Sequence, residues 1–79
     1  MAGVRRRILV VEDDLETAGQ LVESLSTNGY QVDLATNGND ALSRGRSANY
    51  AVMTIDRMLP DIDGLAVMQR LREDGVARG

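Results

Sequence analysis

Val52-Met53-Thr54-Ile55-Asp56 is a short apolar run that stops at a carboxylate, followed by the loop Arg57-Met58-Leu59-Pro60-Asp61-Ile62-Asp63-Gly64. A second apolar run, Ile8-Leu9-Val10-Val11, ends in Glu12-Asp13-Asp14, and Asp13 precedes Asp56 by 43 positions. Continuous β-branched and Leu runs of this kind fit strands buried on both faces of a parallel sheet. Ligands of such sheets bind at the carboxyl ends of the strands. Two strands that both end in acids therefore predict one acidic pocket at that edge.

The intervening sequence supplies the connectors. Asp13 or Asp14 is a helix N-cap, with Glu12 and Glu16 adding negative charge near the positive helix end. Leu15, Ala18, Leu21, Val22 and Leu25 follow at spacings of three and four and form one apolar stripe. Asn28-Gly29 ends that helix, Gly29 being suited to a left-handed C′ position. Tyr30 to Ala35 alternates weakly and reads as a half-buried strand at a sheet edge. Thr36-Asn37-Gly38 is a turn, and Asn39 or Asp40 caps a second helix that runs to about Ala48. Gly45 inside it costs about 1 kcal/mol relative to Ala. Tyr50 to Ile55 is the third strand. Pro60 cannot continue it, and Gly64 permits a tight entry into a third helix whose inner face carries Leu65, Met68 and Leu71, with Val67 near it. Gly75 and Gly79 bracket a frayed tail. The order is β-α-β-α-β-α, with connectors long enough for right-handed crossovers between parallel strands.

Composition narrows the chemistry. The chain has 79 residues, no Cys, no Phe or Trp, and a net charge of −3 from 12 acidic and 9 basic residues. It makes at most one small domain, of a size that buries only about 60% of its unfolded surface. There are no disulfides or thiolate metal sites, and without His the usual general base and zinc ligand are missing. Two tyrosines, Tyr30 and Tyr50, make no stacking platform for single-stranded nucleic acid. Mild acidity argues against direct nucleic-acid binding by this segment. Arg5-Arg6-Arg7 reads as a solvated strand entrance. The four apolar residues after it are too few for a secretory signal, and no run reaches a membrane span, so the expectation is a cytoplasmic protein without membrane contact.

Glu12, Asp13 and Asp56 converge if the first and third strands are neighbours. Like charges so close repel and raise one another's pKa values. A hard divalent cation relieves this, and Mg²⁺ fits best because it takes one or two carboxylates and keeps several waters. The run Asp61-Ile62-Asp63-Gly64 lacks the acids an EF-hand loop needs at Leu59 and beyond. With a cation in place, an already ionised Asp can accept a phosphoryl group without a His or Cys.

Together these segments resemble the receiver domain of bacterial two-component response regulators, over roughly Arg6 to Glu73. Gly29-Tyr30, Ala35, Gly38 and Ala41-Leu42 also sit where that family has its second strand and second helix. The resemblance implies a flavodoxin-like α/β fold, here a partial receiver domain spanning 1–79 with a parallel three-stranded sheet of order 2-1-3 and the fourth and fifth strands absent. It implies that Asp56 is the phosphoacceptor, Asp13 a direct Mg²⁺ ligand and Glu12 a partner acting largely through water. The backbone carbonyl of Met58 completes the metal shell, and Pro60 and Gly64 support the loop. Asp14 is read as a cap, Asp61 and Asp63 as solvated loop and cap residues, and Met53, Met58 and Met68 as filler. The implied phosphate donor is a sensor histidine kinase, and the implied role is that of a signalling acceptor, not an enzyme.

The family also uses a Ser or Thr ending the fourth strand and a Lys ending the fifth. All nine basic residues here are Arg, so the Lys role has no candidate. Without the last two strands the third becomes an edge, which invites pairing with another chain. Self-association through that strand or through exchanged elements is the expectation. Two alternatives stand beside the signalling reading. One is a pseudo-receiver that never takes phosphate. The other is an Asp-nucleophile phosphatase of the haloacid dehalogenase type, against which Met58 counts, because those enzymes carry a second Asp two residues after the nucleophile.

Overall fold

The computed structural model describes residues 6–56 and 58–73; Arg5, Arg57, Gly75 and Gly79 lie outside them. Three strands and three helices alternate: β1 (Arg7–Val11), α1 (Leu15–Thr27), β2 (Gln31–Ala35), α2 (Gly38–Ser47), β3 (Val52–Ile55) and α3 (Gly64–Glu73). The strands form one parallel sheet in the order β2-β1-β3. Its register sets Val11 beside Ala35 on one side and Ile55 on the other. The predicted architecture and strand order are those observed.

Alternation along β1 divides the core between the two sheet faces. Leu9 and Val11 pack with Ala35, Ala41, Leu42, Val67 and Leu71 beneath α2 and α3, and Tyr50, Met53, Ile55, Leu59 and Ile62 close the rim. Ile8 and Val10 are buried on the opposite side, as is Ala18 of α1.

Local chemistry sets the helix ends. Asp14 caps α1, its carboxylate accepting from the Thr17 amide at 3.1 Å. At the other end Gly29 takes φ 91°, with the Gly29 amide on Ser26 O and the Tyr30 amide on Leu25 O, the two bonds of a Schellman motif. Asn37 caps α2, rather than the predicted Asn39 or Asp40: its side chain accepts from the Asp40 amide at 2.8 Å. The Asn-Gly pair read as a turn is thus the cap and first residue of the helix.

Three further expectations are corrected. The predicted α1 stripe is only partly covered, with Leu15 and Leu21 exposed, because no described element packs over that flank beside β3. In α3 the fully buried pair is Val67 and Leu71, four residues apart, while Leu65 faces solvent. Arg7 is not a solvated entrance. Its guanidinium lies 2.8 Å from Asp33 and 5.2 Å from the Tyr50 ring, and the Tyr50 hydroxyl donates to the same Asp33 carboxylate at 2.6 Å. These three side chains clasp β2, β1 and the entry to β3 at the end of the sheet opposite the acids.

Candidate functional site

The parallel ladder carries the acids to one edge. The Glu12 amide donates to Ala35 O and the Asp56 amide to Val11 O, each at 3.0 Å, so both residues extend the pairing one step past the strands. Side-chain oxygens of Glu12, Asp13 and Asp56 all lie within 4.8 Å of one another. Glu12 and Asp56 are half-buried and Asp13 is exposed, so the cluster opens to solvent. Beside it a shallow cavity of about 200 Å³ is lined by Val11, Glu12, Leu21, Thr54, Ile55 and Asp56.

The electrostatics are those of a site short of positive charge. A hydrogen bond shared with Asp56 holds the Glu12 carboxyl above its ordinary range. Partial burial pushes the same way, the Asp14 amide pulls against it, and the charges of Asp56 and Asp13 add smaller upward pushes. Three hard oxygen donors at this spacing, at least one resisting ionisation, fit an ion of the Mg²⁺ type.

The loop after β3 is held at several points. The Asp56 carboxylate accepts from the Met58 amide at 3.1 Å. Leu59 and Ile62 pack on the core. Asp63 caps α3, accepting from the Leu65 amide at 2.8 Å. Gly64 is buried at the start of α3, Pro60 is exposed, and the Met58 side chain points to solvent. Sequence reasoning missed Asp61, which it left as solvated loop. The Asp61 carboxylate accepts from the Gly38 amide at 2.7 Å and the Asn39 amide at 3.0 Å. Those bonds hold it below the usual carboxylate range. No local pattern signals a contact across some twenty residues.

Comparison with known proteins supplies the family. The response regulator receiver domain family matches residues 8–78. The transcriptional regulatory protein PcoR of Escherichia coli is 41% identical over 70 residues, which are 89% of this chain and 31% of that protein. Response regulator MprA of Mycolicibacterium vanbaalenii is 45% identical over 69 residues, 87% of this chain and 30% of its own length. This chain therefore spans about a third of these relatives. Among solved structures, the Francisella response regulator 1452 receiver domain superposes with a TM-score of 0.87 at 30% identity, covering 91% of this chain and 60% of that one. TrrA of Thermotoga maritima, in complex with Mg²⁺-BeF, superposes with a TM-score of 0.84 at 39% identity, over 87% of this chain and 60% of its own. The shared sheet order, the acids at its edge and a match across nearly the whole sequence agree: this chain belongs to the receiver domain family of two-component response regulators.

Proposed function

We propose that this chain is a phosphoryl acceptor of a two-component system, taking the group on Asp56 from a sensor histidine kinase with Mg²⁺ as cofactor. The observation that carries the reading is the convergence of Glu12, Asp13 and Asp56 within 4.8 Å at the carboxyl edge of the sheet. TrrA in complex with Mg²⁺-BeF supports the metal assignment by family likeness.

Each residue has a part. Asp13 and Asp56 would offer carboxylate oxygens to the cation, Glu12 would act largely through water, and the Met58 carbonyl would complete the shell. When bound, Mg²⁺ neutralises charge on the phosphoryl oxygens. An ionised Asp56 oxygen attacks phosphorus as the bond from phosphorus to the donor breaks; the donor leaves with that electron pair and takes up a proton. The product is an acyl phosphate on Asp56, and no general base is needed. The chain is an acceptor and not an enzyme, acts in the cytoplasm, and makes no direct contact with nucleic acid or membrane. Among the described residues no helix is long and apolar enough to cross a membrane.

Self-association is a second part of this reading, favoured by one observation. In the described sheet β3 is an edge, and its Val52 is half exposed, at 51%. Such an edge pairs with a second copy of the same strand or exchanges elements with it.

Mg²⁺ titration followed through backbone amide resonances tests the metal half of the proposal. Saturable shifts at Glu12, Asp13 and Asp56, weakened at least tenfold by Asp13→Asn, are expected. Shifts spread evenly over all acidic residues would contradict it.

A further inference from the structure

We propose that Asp61 is a positioning residue for the acceptor site: its carboxylate braces the loop after β3 against the first turn of α2 and so holds the Met58 backbone beside Asp56. This inference rests on the reading of Asp56 as the phosphate acceptor.

The first turn of any helix leaves amide donors without partners inside the helix. In α2 the Asn37 side chain takes the Asp40 amide and the Asn37 carbonyl takes Ala41. The amides of Gly38 and Asn39 remain, and one carboxylate from a distant loop accepts both, at 2.7 and 3.0 Å. Asp61 also accepts from the Ile62 amide at 2.9 Å, which fixes its side chain relative to its own loop. A negative group at this helix end is favoured further by the helix dipole.

Close packing accompanies the bonds. A Cβ on Gly38 would lie 2.9 Å from the Ile62 Cβ and 3.1 Å from the Asp61 Oδ1, so the loop rests directly on the first residue of α2. On the site side, the Met58 amide bonds to Asp56 at 3.1 Å. The segment between Met58 and Ile62 is thus fixed at one end to the acceptor and at the other to α2. Releasing the α2 end frees the carbonyl that the acceptor reading assigns to the metal shell.

Residue-resolved hydrogen exchange and Mg²⁺ titration of wild type, Asp61→Ala, Asp61→Asn and Gly38→Ala test this. Asp61→Ala is expected to speed exchange at Gly38, Asn39 and Met58 by about tenfold, the scale of one lost hydrogen bond. Leu9 in the central strand stays unchanged. The Mg²⁺ midpoint rises several-fold, Asp61→Asn recovers part of both effects, and Gly38→Ala reproduces the Met58 effect by displacing the loop. Faster exchange at Gly38 and Asn39 alone, with Met58 and Mg²⁺ affinity untouched, would reduce Asp61 to a helix cap and overturn the inference. Should wild type take no Mg²⁺, the acceptor reading fails on its own, and exchange at Met58 alone decides for or against the brace. Should Asp61→Ala unfold, Gly38→Ala decides by the same two outcomes.

Discussion

At the scale of single residues, the side chains of Arg7, Asp33 and Tyr50 show how three strands are tied by polar atoms. The hydrogen bond from Tyr50, and then the Arg7 guanidinium, hold Asp33 below its ordinary range, while burial and Asp33 push the Tyr50 hydroxyl up. The Asp33 contribution is present above its unfolded value, about 3.9, and is lost as pH falls through the lower folded value. The Tyr50 contribution is present below about 10 and is lost as pH rises through the higher folded value. Stability should therefore fall at both extremes. Tyr50→Phe should cost about 1.5 kcal/mol at neutral pH, the low end for a hydrogen bond to a charged group, and should flatten the alkaline limb. Urea midpoints across pH check this; an unchanged alkaline limb in Tyr50→Phe would refute it. The sequence offered Tyr30 to Ala35 as an alternating strand, but the clasp needs the register that sets Arg7 against Gln31, two residues from Asp33, and no pattern within one strand contains it.

At the scale of elements, two glycines in helices make opposite predictions. Gly19 lies on the exposed side of α1 with nothing within 4 Å of an added Cβ. Gly19→Ala should stabilise by about 0.5–1 kcal/mol through helix propensity and a less flexible unfolded chain. At Gly45 the added Cβ would sit 2.8 Å from Leu71 Cδ2 and 3.2 Å from its Cδ1. Leu71 is fully buried, so its methyls would have to shift within the packed core to make room. Gly45→Ala should therefore lose the propensity gain and destabilise by about 1 kcal/mol, as overpacked cores do. Denaturant unfolding of the two variants side by side checks this; stabilisation in both would mean that α2 and α3 are not in close contact there. Sequence reading saw Gly45 only as a weak point in a helix, because its benefit belongs to a helix pair rather than to α2. The same limit hid Asp61, whose partners Gly38 and Asn39 lie 23 and 22 positions away. By contrast β1 was legible, since a buried parallel strand leaves an uninterrupted apolar run; β3 showed a similar run ending at an acid, although Val52 and Thr54 are exposed in the structure.

At the scale of the whole molecule, a three-stranded sheet with β3 at its margin carries the acid cluster at one end and the Arg7 clasp at the other. The convergence of Glu12, Asp13 and Asp56 follows once β1 and β3 are neighbours, an adjacency that the residues alone left conditional and that entered the sequence reading only through the family's strand order. How far β3 is covered depends on what packs beside it and could not be read from the sequence. The edge predicts concentration-dependent association. Sedimentation should give a mass above that of the 8.6 kDa chain that rises with concentration, and Val52→Lys should return it towards monomer, as charge on an edge strand does. A constant monomer mass would rule out self-association without touching the acceptor site.

The acceptor proposed at Asp56 depends on the three acids, their loop and Mg²⁺. Intact-mass spectrometry of folded wild type and Asp56→Ala, each incubated with acetyl phosphate in the presence and absence of Mg²⁺, tests it most directly. One phosphoryl adduct is predicted, on wild type and only with Mg²⁺. An adduct that persists in Asp56→Ala, or its absence from folded wild type with Mg²⁺, would contradict the claim.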